Sequence, residues 1–85
     1  MDLNNKTPTQ VAPEAGQYLI ITRWLSTKDD KEIEDRDKTE EPVSISTREE
    51  FLQLIEKIGT LNREHKYQAQ VAGFDCYTEK TLVKL

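Results

Sequence analysis

Two side chains in this sequence belong to the types that do nucleophilic chemistry: His65, the only histidine, and Cys76, the only cysteine. A thiol becomes a nucleophile when a base or a cation stands beside it, and imidazole is the usual base. Reading residues 66–74 as a strand puts the two near opposite ends of it, poorly placed to touch. The bland readings are then a turn histidine and a small buried or edge cysteine. One Cys and one His also fall short of the four ligands of a structural zinc site. The acidic run comes nearer to a metal array, with Asp30, Glu32, Glu34 and Glu41 on the first, third, fifth and twelfth positions of a calcium loop. Such a loop needs Gly at its sixth position, where Asp35 stands, and a helix on each side, whereas the incoming segment reads as a strand. None of the three glycines has a phosphate-loop spacing. Carboxylates on a mobile loop cannot hold the separation that glycosidase chemistry requires. The sequence therefore points to a non-enzymatic protein with no metal and no cofactor.

The elements that must position any other site come from a chain of 85 residues, of which 35% are apolar and 33% charged, with a net charge of −4. A chain this short builds one modest core, so two lobes with a cofactor cleft between them are excluded. No apolar run reaches the ~18–20 residues of a membrane span. No secretory signal is expected at the start, which leads to a cytoplasmic expectation, and a lone cysteine cannot supply an internal disulfide. Residues 1–16, rich in Asn, Thr and Pro, are expected to be a disordered tail ahead of a single domain at 17–85.

Gln17–Ser26 is dense in aromatic and β-branched residues and reads as a strand. Residues 27–41 read as a long solvated loop with four basic and eight acidic side chains, a net of −4. The acids are Asp29, Asp30, Glu32, Glu34, Asp35, Asp37, Glu40 and Glu41, and the rest of the chain is neutral with eight charges of each sign. Val43–Ser46 alternates as a short strand, placed by Pro42 at a sheet edge or a strand start. Ser46 and Thr47 each begin a capping box with Glu49 or Glu50. Phe51, Leu54, Ile55, Ile58 and Leu61 then form an apolar helical stripe that ends at Gly59 or Leu61. Residues 66–74 alternate Tyr67, Ala69 and Val71 against Gln68 and Gln70 as another strand, with Gly73 as a bulge or strand end, and 81–85 reads as a last strand. The fold expected is α+β: a small antiparallel sheet of three or four strands in the order β-β-α-β-β, with one helix packed on one face.

One helix covers only one face of such a sheet, yet the first strand is apolar on both. Leu19, Ile21 and Leu25 alternate with Tyr18, Ile20 and Trp24. The aliphatic set matches the Leu/Ile stripe of the helix and is expected beneath it. That leaves Tyr18, Ile20 and Trp24, with Arg23 at the strand's edge and Gln68 and Gln70 nearby, as an outer patch rich in the residue types that carry binding free energy. The function expected is a non-catalytic protein-binding module, a small acidic inhibitor, adaptor or accessory subunit. Its acidic loop would steer it to a basic or nucleic-acid-binding protein, or imitate nucleic acid as anti-defence inhibitors of phage do. A second copy of the chain is another candidate partner. The alternative is a single-stranded nucleic-acid binder that stacks bases on Tyr18 and Trp24, with Arg23, Arg63 and Lys66 near phosphates. It is disfavoured because the acidic loop would repel phosphate.

Overall fold

The computed structural model describes residues 13–85. Its elements follow as β1 (Gly16–Ser26), β2 (Thr39–Ile45), α1 (Arg48–Ala72) and β3 (Cys76–Lys84). The strands make one antiparallel sheet in the order β2-β1-β3. The α+β class, the antiparallel sheet and the single helix agree with expectation; the sheet has three strands, the smaller of the two numbers expected, and the order is β-β-α-β rather than β-β-α-β-β.

β1 is central, pairing from Gly16–Ile45 to Thr22–Thr39 on one side and from Tyr18–Lys84 to Ser26–Cys76 on the other. β2 lies outside it, where Pro42 deprives no neighbouring strand of a donor and Glu40 and Glu41 discourage edge-to-edge pairing. The outer edge of β3 is closed differently. Asn62 of α1 donates from Nδ2 to the Lys80 carbonyl at 2.9 Å, and its Oδ1 accepts from the Lys80 N–H at 2.8 Å. One side-chain amide thus does for this edge what another strand would do.

The disorder expected for residues 1–12 lies outside the described residues. Residues 13–16, also expected in the tail, form a turn and the first position of β1. The Tyr18 hydroxyl donates to the Glu14 carbonyl at 2.7 Å, and Arg48 meets the Glu14 carboxylate at 3.6 Å. The acidic segment is shorter and more ordered than a free loop over 27–41. β2 takes in Glu40 and Glu41, Glu32 bridges back to Leu25, and the Ile33 N–H donates to the Trp24 carbonyl at 2.9 Å.

The helix starts as its caps require. Thr47 Oγ1 accepts from the Glu50 N–H at 3.1 Å, and the Glu50 carboxylate reaches back to the Ser46 N–H at 2.8 Å. Its end is the main correction. α1 runs on through residues 62–72, so the strand expected at 66–74 is absent. The buried stripe continues through polar side chains that the sheet satisfies: Asn62 on Lys80, then His65 Nδ1 at 3.1 Å from Thr78 Oγ1, then Ala69. Arg, Glu, Lys, Gln and Ala there favour helix, and three alternating residues are a weak strand signal beside that. Gly59 is an interior helical residue, and Gly73, at φ 76°, is the left-handed cap rather than a bulge. The Phe74 N–H reaches the Ala69 carbonyl at 2.8 Å and the Gly73 N–H reaches that of Gln70 at 3.3 Å, which closes a Schellman motif.

The helix also chooses the other face of β1. Tyr18 is buried, its ring centroid 5.9 Å from that of Phe51, and Ile20 lies opposite Leu54, Ile58 and Leu61. The expectation that Leu19, Ile21 and Leu25 lie beneath the helix is therefore reversed for Leu19 and Ile21, whereas Leu25 does meet α1 at Ala69. Phe51 opens the apolar stripe, and an aromatic partner near Tyr18 suits it better than an aliphatic one. α1 packs chiefly against β3, so it reaches that sheet edge while its beginning stays near Tyr18 and Ile45. At its far end Ala69 joins Leu25 and Tyr77 in a second small core.

Candidate interaction surfaces

Because β1 pairs in register, residues directly across from one another share a face. Leu19 stands beside Pro42 and Val83, and Ile21 beside Glu40 and Thr81. Leu85, whose N–H donates to the Gln17 carbonyl at 2.9 Å, extends the same row. One end of this face carries Leu19 and Ile21, both half-buried, with Pro42, Val83 and Leu85, while at its other end Leu25 and Tyr77, on the same side by register, pack against Ala69 of α1. Val83 is 39% exposed and Leu85 71%.

Arg23 bounds the row at the far end. Its Nη2 meets Glu79 at 2.8 Å and its Nη1 meets Glu32 at 3.2 Å, while Lys38 meets Glu32 at 3.2 Å. The hydrogen bond to Glu79 holds the Arg23 pKa above its ordinary value, and Lys38, then Arg23, hold Glu32 below the ordinary carboxylate range. Arg23 is thus committed within the fold, and only its Nε lacks a partner among the described residues.

On the helix face, the lean of α1 toward β3 leaves a trough over β1 and β2. One part, of about 280 Å³, is lined by Ile20, Glu41, Val43, Leu54, Lys57, Ile58, Leu61 and Lys80. Another, of about 340 Å³, shares Val43, Leu54 and Lys57 with it and extends to Ile45 and Glu50. Further along the helix, Trp24 lines a hollow of about 190 Å³ with His65, Gln68, Ala69, Phe74, Cys76, Tyr77 and Thr78. The Arg36 guanidinium lies 4.8 Å from the centroid of the Trp24 ring.

The residues expected to form one outer patch are therefore divided. Ile20 borders the trough, Trp24 and Gln68 border the separate hollow further along the helix, Tyr18 is buried, Arg23 is on the other face of β1 beside Asn62, Arg63 and Lys66, and Gln70 is exposed on the helix. Tyr18 against Phe51 and Trp24 under Arg36 do not make a shared open stacking platform. Of the three expected phosphate contacts, Arg23 is paired with Glu79 and Glu32, Lys66 meets Asp30 at 3.2 Å, and Arg63 donates to Thr60 at 3.2 Å. Among the acids, Asp30 and Glu32 are tied into the fold, whereas Glu34, Asp35, Asp37, Glu40 and Glu41 are exposed. The open aliphatic face went unread because Leu19 and Ile21 resemble the helix stripe; the clue was the aromatic match between Tyr18 and Phe51.

His65 and Cys76 are not at the two ends of a strand, since that strand is helical; both border the Trp24 hollow. No hydrogen bond joins them, and His65 Nδ1 is engaged by Thr78. Among the described residues no group of three or more His, Cys, Asp or Glu is arranged to hold a metal ion. No helix among them is long and apolar enough to cross a membrane.

The second core carries the strongest titration shift. The Tyr77 hydroxyl donates to Asp30 at 2.7 Å, and burial together with that carboxylate pushes the phenol up to about 12. The Tyr77 hydrogen bond, then Lys66, holds Asp30 below its ordinary value. The folded state prefers the neutral phenol, so its contribution is fully present below the ordinary tyrosine value near 10 and is lost as pH rises from there through about 12. Asp30 contributes above the ordinary carboxylate range, and that contribution is lost as pH falls through its lowered value. The difference in phenolate absorbance between wild type and Tyr77→Phe should show a midpoint near 12, shifted down in Asp30→Asn. A midpoint at the ordinary value in wild type would mean that the Tyr77–Asp30 contact does not form.

Comparison with protein families, with curated proteins and with solved structures gives no match.

Proposed function

We propose that this chain is a non-catalytic protein-binding module that docks through the end of its sheet face carrying Leu19 and Ile21, away from where Leu25 and Tyr77 meet α1. The observation that carries the reading is the row Leu19, Ile21, Pro42, Val83 and Leu85, which no described element overlies. Leu19 and Ile21 are half-buried while Pro42, Val83 and Leu85 are exposed, and contiguous apolar rows left partly open on soluble domains mark contact surfaces. Glu40 stands beside Ile21 on this face, and Glu34, Asp35 and Asp37 are exposed on the adjoining loop. These carboxylates favour a partner whose apolar contact is rimmed by Lys or Arg, and they would speed its encounter at low salt.

The test is affinity capture from source extract with wild type, Ile21→Glu on the sheet face and Tyr67→Ser on the exposed back of the helix. A partner retained by wild type and Tyr67→Ser, lost by Ile21→Glu and weakened by salt is the expected result. A partner held equally by wild type and Ile21→Glu contradicts this docking surface, as does capture of nucleic acid alone.

A further inference from the structure

From the outer edge of β2 we infer a strand-addition site, whose occupant is a short extended segment of a partner protein carrying Lys or Arg. Successive residues of a strand turn their backbone groups to opposite sides, so one fixed residue sets the pattern for the whole sheet. Lys80 is that residue. Asn62 holds both its N–H and its carbonyl on the outer side of β3, so Lys80 faces away from β1. Its partner Thr22 then turns its own groups toward β2, as do Ile20, Tyr18 and Gly16 at every second position. They meet Thr39, Glu41, Val43 and Ile45, which leaves the backbones of Glu40, Pro42 and Ser44 pointing outward. Pro42 fits that pattern, since an inward-facing proline would cost β1 a hydrogen bond. β2 ends the sheet, and among the described residues no hydrogen bond reaches these outward groups. Three outward residues less the proline N–H leave two donors and three acceptors for an added strand. The edge of β3 has the Asn62 cap; the edge of β2 has none.

Side chains beside this edge select the occupant. In strand addition the main chain supplies affinity, and pockets for alternate side chains supply specificity. On the helix face, residues opposite Val43 and Ile45 fall beside the hollow of about 340 Å³, where Val43, Ile45 and Leu54 offer apolar contact. On the other face, the residue opposite Pro42 prolongs the row that begins at Leu19. The charges around the edge are mixed, and their sum decides the sign. On the row face Arg23 and Lys38 stand against Glu32, Glu79 and Glu40. At the trough Lys57 and Lys80 balance Glu41 and Glu50. On the loop Arg36 stands against Glu34, Asp35 and Asp37. Five cations and eight carboxylates leave a net of −3, with none of the excess at the trough. A basic side chain opposite Glu40 is therefore favoured and an acidic one opposed. A second copy suits the edge less well. Pairing β2 with itself about Pro42 sets two carbonyls together with no donor, and pairing it about Glu40 or Glu41 sets like charges together.

The probe is the end-blocked peptide Val-Thr-Leu-Val-Thr-Lys-Lys, seven residues like β2, beside a version ending in two glutamates. Its leucine is placed opposite Val43 and its first lysine opposite Glu40, antiparallel to β2. Each peptide is added to the isotope-labelled full-length chain, and amide hydrogen exchange is followed by NMR. In the free protein the Glu41 and Val43 amides should exchange slowly and those of Glu40 and Ser44 fast. The lysine peptide should slow Glu40 and Ser44, binding about fivefold more tightly than the glutamate peptide. N-methylation of the peptide residue opposite Pro42, whose N–H that carbonyl accepts, should abolish binding. N-methylation of the leucine, whose N–H points away from β2, should not. Glu40→Lys should remove the preference for lysine while keeping a folded spectrum. Val83→Glu, on the far strand of the aliphatic row, should leave peptide binding unchanged, so this edge and the sheet-face docking surface fail or stand separately. Equal effects of the two methylations, equal binding of the two peptides, or no change at Glu40 and Ser44 under a large excess of peptide would overturn the inference. So would protection of those amides that rises with protein concentration alone, the mark of a second copy on this edge.

Discussion

Tyr18→Ala should lose about 3–5 kcal/mol of stability, enough to leave the chain largely unfolded at room temperature. The ring is 5% exposed, tilted against Phe51, with the ammonium of Lys84 5.9 Å from its centroid. Truncation removes that aromatic contact and leaves a cavity between the start of α1 and the sheet, while the Glu14 carbonyl loses its donor. Tyr18→Phe keeps the ring and removes only the 2.7 Å hydrogen bond to Glu14, so its cost should be about 1 kcal/mol. Urea midpoints for the pair separate packing from hydrogen bonding. An alanine variant within 1 kcal/mol of wild type would place the ring at the surface and exchange the two faces of β1.

Asn62→Ala should cost roughly 2–3 kcal/mol and change how the protein behaves at high concentration. It removes two hydrogen bonds at once and leaves the N–H and carbonyl of Lys80 without partners in a part-buried position. Those groups then resemble any bare sheet edge, so the variant should self-associate where wild type does not. Asn62→Asp keeps the acceptor for the Lys80 N–H and loses the donor to its carbonyl, and should fall between the two. Chemical denaturation gives the first effect and light scattering against concentration the second. Wild-type values for Asn62→Ala in both would mean that this edge needs no cap.

These two residues also show where the sequence was legible. β1, the capped start of α1 and the edge placement of Pro42 all follow from local rules that act within a few residues: β-branched and aromatic content, a capping box, a missing donor. The end of α1 does not. Asn62 and His65 read as turn residues because they are polar, and only the backbone of Lys80 and the hydroxyl of Thr78, 18 and 13 residues away, explain polar side chains on a buried stripe. The face of β1 was equally nonlocal. Both sets of alternating residues are apolar, and the choice was made by Phe51 meeting Tyr18 from another element. That a patch stays open for a partner followed from having one helix for two apolar faces. Its membership required knowing which face that helix took.

The most direct check needs no partner. Methyl NMR of the dilute protein with a soluble paramagnetic gadolinium chelate broadens each methyl according to its distance from solvent. The methyls of Val83 and Leu85 should broaden strongly and those of the half-buried Leu19 and Ile21 to an intermediate degree, while those of Ile45, Ile58 and Leu25, each below 9% exposed, should persist. Ile21 as well shielded as Ile58 would show the aliphatic row already covered, and the docking surface would not exist.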